Sequence, residues 1–150
     1  AAVDVNGDGL DSLAEEVGDR VAPFVFDISD PTAVREGMQS VRNVLGDIDI
    51  LVNNAGIYER HDFLELDYEA WQQNWQQTLA TNLTGAANLA FLTSKVMKEN
   101  GGGRIINISS RGAFRGELEA GIAAYELLCR LTRRVRVDYQ ATAADAARLA

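Results

Sequence analysis

The apolar residues of this chain switch repeatedly between the spacing of strands and the spacing of helices. Residues 1–5 form a short apolar run that predicts a strand, and residues 6–9 (Asn-Gly-Asp-Gly) form a turn cluster. Leu10, Leu13, Ala14 and Val17 then recur at helical spacing, with Asp8 available as a cap and Gly18 suited to the helix end. Residues 21–26 predict a second strand. Ser29 or Asp30 can cap a second helix that has Pro31 in its first turn, an apolar face through Val34, Met38, Val41 and Leu45, and an end at Gly46. Residues 48–52 predict a third strand, of the kind buried in a parallel sheet. A loop follows over 53–67. Trp71, Trp75, Leu79, Leu83, Ala86, Ala90 and Met97 trace one long helix, with both tryptophans expected in the core, and the glycines at 101–103 end it. Residues 104–108 predict a fourth strand and 109–116 a loop. A helical pattern resumes near Leu118 through Ile122, Tyr125, Leu128, Leu131 and Val135, and the alanine-rich tail 141–150 is helix-prone.

Strands that alternate with helices imply parallel strands joined by right-handed crossovers. The expected fold is therefore α/β, a single domain built on a doubly wound parallel sheet. Ligands of such sheets sit beyond the carboxyl ends of the strands. The segments after positions 5, 26, 52 and 108 are where chemistry is expected.

Composition narrows the classes. The 150 residues suffice for one domain with a core, and 47% hydrophobic content is that of a globular chain. Fourteen Lys and Arg face 22 Asp and Glu, a net charge of −8, which argues against nucleic acid or an anionic membrane as partner. No apolar run is long enough to span a bilayer, and no signal-peptide pattern opens the sequence. Cys129 is the single cysteine; it excludes an internal disulfide and suits a cytoplasmic location. A packing role is expected for Cys129, a solvated loop position for the single histidine, His61, and a solvated face for the basic cluster Arg130, Arg133, Arg134 and Arg136.

Four segments carry candidate chemistry. Asn53-Asn54-Ala55-Gly56 follows the third strand, and Ser109-Ser110 follows the fourth. Thr81-Asn82-Leu83-Thr84-Gly85 lies within the long helix, and Asp27 follows the second strand. Taken singly, each has a plain reading as a turn, a kink or a cap. In this order, at these strand ends, the chain resembles the short-chain dehydrogenase/reductase family, and in particular its bacterial ketoacyl-reductase-like members. The resemblance covers about residues 1–116, and 117–150 form a divergent helical tail. It implies an incomplete Rossmann-type domain that moves hydride between a nicotinamide dinucleotide and a small alcohol or ketone, in a homo-oligomer.

The resemblance also implies roles. Asp4 matches the acidic residue that bonds the adenosine ribose hydroxyls, which favours NAD over NADP. Asp27 matches the adenine contact, and Asn53, Asn54, Ala55 and Gly56 match the segment beside the adenine ribose. Asn82 matches the helix asparagine that supports a proton-relay water. Ser110 matches the serine that bonds the substrate oxygen, and Tyr125 lies near the place of the catalytic tyrosine. It implies a sheet in which one further strand stands between strand 1–5 and strand 48–52.

The pattern also breaks. The family's glycine-rich phosphate turn, Thr-Gly-x-x-x-Gly-x-Gly, is not in the sequence. Four residues past Tyr125 stands Cys129 where the family carries lysine, and no lysine follows Lys98. The family's later strands and cofactor loop have no counterpart in the tail. The expected chain is thus either an oxidoreductase that is truncated and inactive as given, or a non-catalytic remnant acting as an interaction module. A third pattern, Asp4-Val5-Asn6-Gly7-Asp8-Gly9 with Glu15, fits a calcium loop with oxygen ligands at Asp4, Asn6, Asp8 and Glu15. Against it, Asp11 stands where such loops carry an aliphatic residue, and there is no entering helix or second loop. No metal is expected.

Overall fold

The computed structural model describes residues 1–58 and 66–109. The expectations for His61, Ser110, Tyr125, Cys129 and the helical tail lie outside the described residues. The chain runs β1 (Ala2–Asp4), α1 (Gly7–Val17), a 3₁₀ turn (Gly18–Arg20), β2 (Pro23–Val25), α2 (Pro31–Leu45), β3 (Ile50–Asn53), α3 (Tyr68–Leu79), a π turn (Ala80–Gly85), α4 (Ala86–Glu99) and β4 (Arg104–Asn107). The alternation of strand and helix read from the apolar spacing is present, with shorter strands.

Local chemistry sets the helix ends. Asn6 Oδ1 accepts from Gly9 N at 3.0 Å, Asp30 Oδ1 from Thr32 N at 2.7 Å, and Asp67 Oδ1 from Ala70 N at 2.7 Å. Each such cap contributes about 1 kcal/mol. Asn6, not Asp8, caps α1; Asp8 is already inside the first turn, where its charge faces the positive end of the helix dipole. Gly46 ends α2 at φ 83°, a backbone that side chains other than glycine resist. Because residues 7–17 are helical, Asp8 and Glu15 lie along a helix instead of wrapping a cation. Asp4 and Asn6 spend a side-chain oxygen each on backbone N–H groups of the turn.

The strands form two parallel pairs, β1 with β2 and β3 with β4. Among the described residues the two strand pairs do not ladder to each other across the place where the resemblance implied one further strand. They are nevertheless held by one core. Ile28, Val34, Met38 and Leu89 form its centre, and Val3 of β1 and Leu51 of β3 both pack against it, with Phe26, Ile48 and Leu92. Helices α2 and α4 pack on each other over this face, and α1 packs on β1 and β2.

The opposite face of the β3–β4 pair differs from expectation. Asp49 interrupts the apolar run, and Ile50 and Val52 are 56% and 51% exposed. Ile106 on β4 and Ile108 just past its end are 44% and 55% exposed. Side chains alternate faces along a strand, so only Leu51 and Asn53 turn toward the helical layer. The tryptophans differ as well. Helix α3 has no buried residue; Tyr68, Trp71 and Trp75 stack along it with ring centroids 5.9 and 6.2 Å apart, the two indoles half-buried. Helical spacing brings the rings to one face, but it does not supply a partner for that face. No helix among the described residues is long and apolar enough to cross a membrane.

Thr93 on α4 is fully buried, and its hydroxyl finds no partner among the described residues. Thr93→Val keeps the shape and removes an unsatisfied group, so it is expected to stabilise the chain by about 1 kcal/mol. The melting temperature should rise by about 3 °C. A fall on substitution would show that the hydroxyl is bonded.

Candidate functional site

The carboxyl end of β3 is built around a buried amide. Asn53 closes the strand, and its Nδ2 donates to Asn107 Oδ1 at 2.9 Å and to the Ala86 carbonyl at 3.2 Å. Asn107 is its register partner on β4, and Ile108 N donates to the Asn53 carbonyl at 2.9 Å. Asn53 Oδ1 is buried with no partner among the described residues. Beyond Asn53 the chain emerges, and Asn54, Ala55 and Gly56 are exposed. Small residues there leave the backbone open to close approach by a ligand.

The loop is then caught from the helix. Asn82 Oδ1 accepts from Ile57 N at 2.8 Å, and Asn82 Nδ2 donates to the Ile57 carbonyl at 2.9 Å. One carboxamide thus imitates a strand partner for one residue. Asn82 lies in the π turn at 80–85, where an extra residue per turn interrupts the α-helix. Next to it, Gly85 approaches Ile28 so closely that a Cβ would lie 2.5 Å from the Ile28 carbonyl oxygen. Gly85 adjoins Ala86, which bonds Asn53, so the exits of β2 and β3 lie on the same side of the fold.

The two carboxylates stand at the neighbouring exits. Asp4 ends β1 opposite Val25, and its carbonyl accepts from Phe26 N at 3.3 Å. Its side chain is exposed, with Oδ1 accepting from Asn6 N at 2.9 Å. Asp27 is exposed beyond β2, with Oδ1 accepting from Ser29 N at 2.8 Å. Each carboxylate is oriented by a backbone N–H and keeps a face toward solvent.

The structure therefore brings Asn53, Gly56 and Asn82 into one cluster and sets Asp4 and Asp27 at the ends of the paired strands β1 and β2. The positions of Ser110 and Tyr125 relative to them lie outside the described residues. Sequence reading missed Asn107, Ile57 and Ala86. Asn107 was legible as the polar residue that interrupts an apolar strand two positions before the serines; Ile57 and Ala86 contribute only backbone, which carries no sequence signal. Open backbone and oriented carboxylates at the carboxyl ends of parallel strands suit a nucleotide.

The short chain dehydrogenase family model matches residues 1–140. The chain is 40% identical over 116 residues to D-threitol dehydrogenase of Mycolicibacterium smegmatis, covering 75% of this chain and 43% of that protein. It is 34% identical over 113 residues to acetoacetyl-CoA reductase of Rhizobium meliloti, covering 75% and 44%. The chain thus spans less than half the length of these curated relatives. A gluconate 5-dehydrogenase from Burkholderia cenocepacia, solved in complex with NADP and tartrate, superposes with a TM-score of 0.71 at 30% identity, covering 88% of this chain and 51% of that one. With 140 of its 150 residues matched, the chain belongs to the short chain dehydrogenase family.

Proposed function

We propose that this chain forms the adenosine side of a nicotinamide-dinucleotide site, in a cytoplasmic oxidoreductase that acts on a small alcohol or ketone. The observation that carries the reading is the exposed Asn54–Gly56 backbone, held between the Asn53 amide and the Asn82 clamp at the strand ends. The dinucleotide, when bound, supplies or accepts the hydride. The residues described fit its adenosine part: Asp4 at the ribose hydroxyls, Asp27 at the adenine, and residues 53–56 along the ribose. In this reading Asn82 holds the proton-relay side of the site, Ser110 bonds the substrate oxygen and Tyr125 carries the proton. Cys129 stands four residues past Tyr125, where the family carries lysine, so the chain is read as inactive.

Asp4 supports NAD over NADP. A carboxylate accepts from both ribose hydroxyls but repels a 2′-phosphate, by about 1 kcal/mol per charge pair at 4 Å even in water. The expected result is that ADP-ribose shifts the NMR signals of Asp4, Asp27 and residues 54–56, and binds at least tenfold tighter than its 2′-phosphorylated form. Asp4→Ala should bring the two within about twofold. Equal affinities in the unsubstituted chain would overturn the NAD preference, and no shift at these residues would overturn the site.

A second reading, a non-catalytic interaction module, is favoured by the exposed apolar face of Ile50, Val52, Ile106 and Ile108. Nucleotide binding separates the two.

A further inference from the structure

We propose that Asn107 is a positioning residue: acting through the Asn53 carboxamide, it ties the exit of β4 to the exit of β3 and to the bulged helix, so that the loops leaving both strands are held as one unit. The proposal rests on reading these exits as the working edge of the sheet. Its mechanics depend only on contacts within the chain.

Asn53 and Asn107 are opposite one another at the last rung of a ladder only four residues long. Terminal rungs of short ladders fray, because little packing holds them. Here the rung is reinforced by a side-chain bond of 2.9 Å between residues 54 apart in sequence. Both protons of Asn53 Nδ2 are used, one on Asn107 Oδ1 and one on the Ala86 carbonyl. Asn53 Oδ1 has no partner among the described residues. Among the described residues the amide is therefore oriented by its two acceptors, and Asn107 is the only one of them that is a side chain.

The tie extends further. Ala86 is the first residue after the π turn, and the π turn carries Asn82, whose carboxamide grips Ile57. The loop at residues 54–57 is thus held at its start by Asn53 and at its end by Asn82, and the two anchors meet at the bulge. Asn107 bonds the first anchor and leads directly into Ile108 and Ser109. Removing its oxygen leaves Asn53 with a single acceptor in a buried site, free to turn over and release Ala86. The effect should reach Ile57 by way of the helix, although Asn82, not Asn107, bonds Ile57.

The test is amide hydrogen exchange by NMR on the full chain, with no nucleotide present. In Asn107→Ala, exchange of the Ile57 amide should accelerate at least tenfold more than that of Val41 in α2, and the Asn53 side-chain protons should lose protection. Asn107→Asp keeps an acceptor oxygen and should restore Ile57 to within about threefold of the unsubstituted chain. Equal acceleration at Ile57 and Val41 would mean only general destabilisation and would overturn the proposal. So would an unchanged Ile57, or failure of the aspartate to restore it. Should Asn107→Ala not fold, the unsubstituted chain decides. Asn53 side-chain protons that exchange as fast as those of exposed Asn54 would overturn the tie, and slow exchange would support it. Failure of ADP-ribose to bind would refute the nucleotide reading and leave this result standing.

Discussion

Supplied with NADH and a panel of ketones and ketoacyl esters, the 150-residue chain is expected to oxidise NADH no faster than the blank. Enzymes commonly reach about one turnover per second or more. The reason lies in the proton. A phenol titrates near 10, and lowering that by about three units takes roughly 4 kcal/mol of cationic stabilisation. In a helical stretch the cation belongs four residues on. Cys129 stands there. Arg130, at the fifth position, would point about 140° away, and Arg133, at the eighth, would lie about 12 Å along the axis. Tyr125→Phe should therefore change nothing. Turnover near one per second that Tyr125→Phe abolishes would overturn the reading of an inactive chain.

Gly85→Ala is expected to destabilise the chain by about 2 kcal/mol, although alanine is the better helix former by about 1 kcal/mol. The new Cβ would lie 2.5 Å from the Ile28 carbonyl oxygen, 3.0 Å from its carbon and 3.1 Å from Ile28 Cγ1. Ile28 is buried in the central core with Val34, Met38 and Leu89, so neither side can yield cheaply. Overpacking of this kind costs about 1–3 kcal/mol and occasionally more. A melting temperature lower by about 6 °C would fit. Since Gly85 adjoins Ala86, the substitution should also disturb the Asn53 amide. A variant as stable as the parent would show that the helix and the β2 exit can part without loss.

Much of this was legible in the residues. The order of strands and helices follows from apolar spacing, and the helix ends at Gly18 and Gly46 follow from glycine's tolerance of positive φ. The Asn-Asn-Ala-Gly run, mid-helix Asn82 and Asp4 were singled out through the family resemblance, which their order along the chain carries. Asn107 was passed over: its importance depends on a partner 54 residues away, and register between strands is not written in either strand alone. The stacked aromatics of α3 show the same limit. Their spacing defined a face but not what would cover it.

The sequence by itself determined the order of strands and helices, the glycine ends of α1 and α2 and the kinds of side chain present at each strand end, since these depend on interactions within a few residues. Only the tertiary structure decided the rest: that β1 and β3 share a core without a ladder between them, that one face of β3 and β4 stays exposed, and that Asn53, Asn82, Ala86 and Asn107 converge. Those outcomes depend on which apolar faces meet and on where a buried amide finds its acceptors. Both are set by helices packing across the sheet, and no local pattern encodes them.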